Sequence, residues 1–173
     1  MEEILHWQPA IERLDLLADP VALAVKDMGD DVLATGIDPD LADTAAFCER
    51  YGVGLDESAN CVVVAAKRGG EIRYAACMVL ATMRADINNV VRRHLDVRKI
   101  SFAPMAEAVG LTGMEYGGIT PIGLPADWPI LVDANVAAHH RLVIGSGLRR
   151  SKLAVPGAAL AGLKGAEVLP LAN

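Results

Sequence analysis

The sequence predicts a mixed α/β fold: one compact domain whose sheet, mostly antiparallel or curled into a half-barrel, carries flanking helices. Three observations lead there. The chain has 173 residues, 53% hydrophobic and 22% charged, which is enough apolar material for one core and too little charge for a disordered chain. Two long apolar runs, Cys61–Ala66 and Ile72–Leu80, flank Gly69-Gly70, the pattern of a hairpin buried on both faces. Helix-like and strand-like segments are interleaved without the strict alternation of a doubly wound sheet. The longest uncharged apolar stretch, Ala75–Met83, is about half of the roughly 18 residues needed to span a bilayer. The acidic start Met1-Glu2-Glu3, with no long apolar run after it, predicts no secretory signal. Three widely spaced cysteines (Cys48, Cys61, Cys77) and no CxxC pair predict a reducing, cytoplasmic setting.

Taken in order, residues 9–17 have helical spacing, with Pro9 in a first-turn position. Pro20 opens a second apolar stretch that ends near Gly29. Residues 31–37 read as a short strand closed by the turn Asp38-Pro39-Asp40. Asp43 is placed to cap a helix over 44–51 that stops at Gly52. After the hairpin, Asp86 is placed to cap an amphipathic helix over 87–95, with Ile87, Val90, Val91 and Leu95 on one stripe. Residues 99–103 read as a strand, and Pro104 begins a helix ending by Gly110. Four glycines and two prolines then crowd into Gly113–Pro125. Ile130–Asp133, Leu142–Ile144 and Leu153–Val155 read as short strands and 156–163 as a last helix, before the closing Val168-Leu-Pro.

Charge is split along the chain. Residues 1–57 hold fourteen acids and three bases, whereas Ala134–Ala166 hold five bases and no acid. A second basic cluster comprises Arg84, Arg92, Arg93, Arg98 and Lys99. Phosphate attraction decays over about 8 Å in physiological salt, so local rather than net charge matters for a polyanionic ligand. The other reading is an ordinary solvated surface. The acidic total, a formal net charge of −6, speaks against a DNA-coating protein.

The residues themselves suggest little side-chain catalysis. His139-His140 lack the spacing that sets two ligands on one helix face, so no metal is expected. There is no Gly-x-Ser-x-Gly elbow, and Cys61 and Cys77 lie in the most apolar strands, where a thiol is inert. Two glycine-rich loops remain. Gly117-Gly118 leading into Ile119-Thr120-Pro121 can offer bare main-chain N–H groups to a bound oxygen. Gly145-Ser146-Gly147 follows a strand and precedes Arg149-Arg150. Together they suggest a cleft that binds a phosphate or a carbonyl.

The order of segments resembles the YbaK family, free-standing relatives of the editing domain inserted in bacterial prolyl-tRNA synthetases. The resemblance rests on the hairpin, the basic helix, the run Thr112-Gly113…Gly117-Gly118-Ile119-Thr120-Pro121-Ile-Gly123, then Leu131-Val132-Asp133 and Ile144-Gly145-Ser146-Gly147. It covers about Asp43–Leu163 and divides the chain into an N-terminal extension, 1–42, packed on an editing domain, 43–173. It implies a cofactor-free aminoacyl-tRNA deacylase that hydrolyses in trans the ester of a mischarged tRNA, with help from the substrate's own vicinal hydroxyl. The partners implied are tRNA and, as a candidate, an aminoacyl-tRNA synthetase, with neither membrane nor DNA. The amino acid expected is small, such as alanine or cysteine, with tRNA-Pro as candidate carrier.

On this resemblance Gly117 and Gly118 are the main-chain donors. Ile119, Thr120, Pro121, Gly123, Gly145, Ser146 and Gly147 shape the substrate pocket. Asp133 is either a pocket acid or a strand-end residue that bonds backbone amides. Arg92, Arg93, Arg149, Arg150 and Lys152 meet the tRNA backbone. The family's usual lysine at the start of the long strand is here Asn60, a neutral donor, and Lys67 lies about 20 Å farther along at about 3.3 Å per residue. Either another base such as Arg84 or Arg149 substitutes, or substrate choice differs, or activity is weaker. A non-catalytic module that kept the pocket for a nucleotide, aminoacyl group or tRNA is the alternative.

Overall fold

The computed structural model describes residues 4–173, so Met1–Glu3 lie outside the described residues. Residues 9–17 are not one helix. They hold a short strand, β1 (Gln8–Pro9), and two 3₁₀ turns over 10–12 and 14–16. Pro9 stays extended at φ −52°, ψ 130°, and Arg13 breaks the run at φ −131°, where its guanidinium pairs with Asp15 at 3.1 Å. Helix α1 (Asp19–Val25) carries Pro20 in its first turn and buries Val21 and Val25. Strand β2 (Leu33–Gly36) follows, then α2 (Thr44–Tyr51), which ends at Gly52 in the left-handed region at φ 68°. Asp43 occupies the cap position of α2 without a capping bond, because its carboxylate faces Arg149.

The hairpin forms as expected. Strands β3 (Ala59–Arg68) and β4 (Glu71–Leu80) pair without interruption from Ala59↔Leu80 to Arg68↔Glu71. Gly69 and Gly70 adopt φ of 59° and 85°, the successive left-handed residues that a tight hairpin turn requires. The helix expected over 87–95 begins as a wide π turn, 87–91, closed by Val91 N–H donating to Asp86 O, and continues as the single turn α3 (Arg92–His94). The wide turn keeps both Ile87 and Val91 buried.

Strand β5 (Lys99–Phe102) is followed by α4 (Met105–Thr112), which runs two residues past Gly110. Its terminator is Gly113, left-handed at φ 68°, the residue type suited to that cap. Then come β6 (Ile130–Asp133), an unanticipated four-residue helix α5 (Ala134–Ala137), β7 (Leu142–Gly145), β8 (Ser151–Val155), α6 (Gly157–Ala161) and β9 (Ala166–Leu169).

Two sheets result. One is antiparallel in the order β1-β2-β8-β7, and the other is mixed in the order β5-β3-β4-β6-β9, with β6 parallel to both neighbours. A parallel bridge between Ser58 and Val143 joins them. The main core, including Val21, Met78, Leu142, Ile144, Leu153 and Leu160, is shielded from water. Each such side chain contributes about 1.5–3 kcal/mol through burial. Residues 8–36 supply two strands of the first sheet, β2 lying between β1 and β8. Among the described residues no helix is long and apolar enough to cross a membrane.

Candidate active site

A cavity of about 260 Å³ opens where the two sheets meet. Strand β3 brings Ala59, Asn60 and Cys61 to it, β7 brings Ile144 and Gly145, β8 brings Lys152, and the N-terminal end of α2 brings Asp43, Thr44 and Phe47. Tyr116, Gly117 and Ile119 of the glycine-rich loop close one side. The Asn60 Oδ1 accepts a hydrogen bond from the Thr44 hydroxyl at 2.7 Å, so strand and helix are tied at the cavity wall. Cys61 reaches the cavity, yet burial pushes its thiol far above the ordinary value, and burial likewise pushes Cys77 to about 12. Both thiols are protonated at neutral pH and neither is a nucleophile.

The glycine-rich loops pack on one another, which corrects the expected role of several residues. The Gly118 N–H is donated to Glu115 O at 3.0 Å, and its carbonyl accepts from Gly147 N–H at 2.6 Å. A Cβ at Gly118 would lie 2.9–3.0 Å from the main chain of Leu148, and one at Gly145 would lie 2.6 Å from Gly118 O. Glycine is therefore required at 118 and 145 so that two backbones can touch, and Gly118 is not a spare donor. Gly117 differs. It sits at φ 85°, beneath the Arg149 guanidinium, and among the described residues its N–H has no hydrogen-bond partner. It lines the cavity with Ile119 and Gly145.

Other nominated residues are bonded or packed within the protein and do not line this cavity. Asp133 is fully buried: Oδ2 accepts from Asn135 N and Nδ2 at 3.1 Å, and Oδ1 accepts from Leu171 N and Ala172 N at 3.2 Å. It starts α5 and clamps the C-terminal segment, away from the cavity. The Ser146 hydroxyl is consumed by Leu148 O, Ser151 O and Ser151 Oγ. Gly147 faces Ala18 and Val21, and Gly123 faces the Pro20–Val21 main chain, both at φ 91°. Thr120 is buried, its hydroxyl without a partner among the described residues, and Pro121 is buried beside it.

The basic residues separate into three groups. Lys152 is not on the outer face. It is 6% exposed, its Nζ donates to Ala42 O at 2.8 Å and stands 5.3 Å over the Phe47 ring. Burial lowers its pKa from 10.5 to about 8, with Cys48 and Asp43 opposing the shift and Arg149 adding to it. Arg149 and Arg150 lock loops. Arg149 bonds Tyr116 O at 3.2 Å and Pro39 O at 3.1 Å and sits 3.8 Å from Asp43, while Arg150 bonds Asp15 O at 2.5 Å. Arg92, on α3, lines a separate groove that it shares with Lys67, Arg98 and Lys99, and Arg93 is exposed nearby. Lys67 and Lys99 stand directly opposite each other across β3 and β5.

The sequence reading missed Asp43, Thr44, Phe47, Ser58, Tyr116 and Val143 as cavity residues. No local spacing signals them, since they converge only when α2 covers the seam. His139 and His140 stack on each other at 5.3 Å.

Comparison with known proteins gives a consistent result. Residues 38–163 match a family described as the aminoacyl-tRNA editing domain. No curated protein matches the chain. Among solved structures, a protein known as hypothetical protein APE2540 superposes with a TM-score of 0.79 at 21% identity, over 90% of this chain and all of the other. A candidate trans-editing enzyme for prolyl tRNA synthetase superposes at 0.76 with 19% identity, over 90% and 96% of the two chains. A scaffold protein from epitope grafting by computational design does so at 0.76 with 18% identity, over 90% and 97%. At these identities the structures establish a shared fold.

Proposed function

Because the chain belongs to the aminoacyl-tRNA editing domain family, we propose that it removes the wrong amino acid, in trans, from the 3′-terminal ribose of a mischarged tRNA. The observation that carries this reading is the cavity lined by Gly117 and Ile119, where the Gly117 N–H has no hydrogen-bond partner among the described residues. An aminoacyl ester is already activated, so the protein need only position it and stabilise charge. Water adds to the ester carbonyl carbon, the developing oxyanion accepts from the Gly117 N–H, and the ester C–O bond breaks. The ribose oxygen leaves as a hydroxyl with the proton that the water has lost, with the substrate's vicinal hydroxyl assisting the transfer. One such donor is worth about 3–4 kcal/mol, and fixing water and ester together contributes much of the remainder. Asn60 and Thr44 hold the acylated ribose on the opposite wall.

The small volume favours a small side chain, alanine or cysteine, with steric exclusion of larger ones. The groove of Lys67, Arg92, Arg98 and Lys99 receives tRNA phosphates. Like charges directly opposite across paired strands cost folding energy, a cost that a polyanion offsets. A synthetase is a candidate further partner. The test is incubation of pure protein with tRNAs mischarged with different amino acids. Release of a small amino acid well above the uncatalysed rate is the expected result, and no release from any pair refutes the reading. Binding of aminoacyl-adenosine analogues without hydrolysis would make the chain a non-catalytic module.

A further inference from the structure

Among the cavity residues, Lys152 is the one cation, and among the described residues no ion pair holds it. An ammonium has three donors. One goes to Ala42 O, a neutral acceptor, and one face of the group rests on the Phe47 ring. Among the described residues no carboxylate forms an ion pair with it. Asp43 at the cavity rim stands 3.8 Å from Arg149, and it and Cys48 favour the Lys152 ammonium only from beyond ion-pair distance. A buried charge without a directly paired counter-ion is costly, and a fold that keeps one beside an open cavity has a use for it when the cavity is filled.

We propose that Lys152 is the anion anchor of this cavity and holds the phosphodiester on the 5′ side of the terminal adenosine. The inference rests on the editing reading for the identity of the ligand. The acylated end of a tRNA carries two kinds of charge. The α-amino group of the amino acid is a cation, which Lys152 repels, and the phosphodiester is the one anion common to every aminoacyl-tRNA. Fixing that phosphate on β8 sets how far the ribose can advance, and so places the ester before Gly117. Lys152 is thus a positioning residue that acts through binding. Neither Arg84 nor Arg149 lines the cavity, so the cation comes from a strand 92 positions after Asn60 in the chain.

The test compares adenosine 5′-monophosphate with adenosine by titration calorimetry at pH 7. Wild type is expected to bind the monophosphate at least tenfold more tightly than adenosine. The ratio falls to about one in Lys152→Met and largely recovers in Lys152→Arg. In wild type it also shrinks as the pH is raised from 7 to 9.5, where the ammonium loses its proton. In deacylation the same Lys152→Met change raises KM for mischarged tRNA more than it lowers kcat. A ratio unchanged by Lys152→Met overturns the proposal, as does failure of the monophosphate to bind wild type at millimolar concentration. So does a Lys152-dependent preference for aspartyl over asparaginyl amide-linked adenosine without any for the monophosphate, which would assign the cation to the acyl side chain. Absence of deacylation with the monophosphate preference intact would refute the editing reading and leave the phosphate subsite standing.

Discussion

Replacing Lys152 by methionine should make the protein more tolerant of neutral pH and less responsive to alkaline pH. The ordinary lysine value of 10.5 falls to about 8 through burial. At about 1.4 kcal/mol per tenfold change in proton affinity, the buried charge costs the fold about 3 kcal/mol. Below pH 8 both folded and unfolded chains hold the proton, and the cost is constant. Between pH 8 and 10.5 the unfolded chain still binds the proton while the folded one has released it, so wild-type stability rises with pH over this window from this group. Methionine has no such linkage. The stability of wild type relative to Lys152→Met should therefore rise by about 2–3 kcal/mol between pH 7 and pH 10, or about 1 M in urea midpoint at a typical slope. Urea unfolding of both proteins at four pH values measures it, and using the difference cancels the other titrating groups. If the two stability curves run parallel from pH 7 to 10, the lysine is not desolvated and the argument for an uncompensated charge fails.

Three other outcomes follow from the geometry. Gly118→Val should destabilise the fold by about 1–3 kcal/mol or more, because its Cβ meets the Leu148 main chain at 2.9–3.0 Å and overpacking has that cost. A thermal midpoint equal to wild type would mean that the loops do not pack as described. Asp133→Ala removes the acceptor of four N–H bonds and should cost about 3–5 kcal/mol without changing deacylation per folded molecule; a loss of kcat in fully folded protein would return Asp133 to the site. Arg98→Glu with Lys99→Glu should flatten the dependence of tRNA affinity on log salt by about 2, at a little under one per phosphate contact. An unchanged slope, measured by filter binding, would remove that groove from the RNA footprint.

Much of the fold was legible because its signals are local. Gly69-Gly70 between two apolar runs defines the hairpin, Gly52 ends α2, and Asp86 marks the turn that leads into α3, each through contacts spanning five residues or fewer. Where local signals misled, a nearby competitor won. Arg13 leaves helical geometry at φ −131° and splits the run into two 3₁₀ turns, and Gly113 rather than Gly110 carried the left-handed cap. The site was half legible. Asn60, Gly117, Ile119 and Gly145 do reach one cavity. The glycines at 118, 123 and 147, in contrast, owe their identity to neighbouring backbone and side chains and not to a ligand. A glycine run looks the same in one dimension whether its missing Cβ makes room for a substrate or for another loop.

The residue order alone established a single mixed α/β domain, its hairpin and an editing-family pattern, because these depend on periodicity, turn chemistry and motif spacing. Folding in three dimensions settled which amides are already hydrogen-bonded and which cation lies inside. The Gly118 N–H is consumed within its own turn, while its carbonyl is taken by Gly147, 29 residues on. Lys152 leaves a run of surface-like bases to reach Ala42, 110 residues away in the chain. Hydrogen-bond partnership and desolvation are set by what packs against a group, and such neighbours come from segments that sequence spacing does not relate.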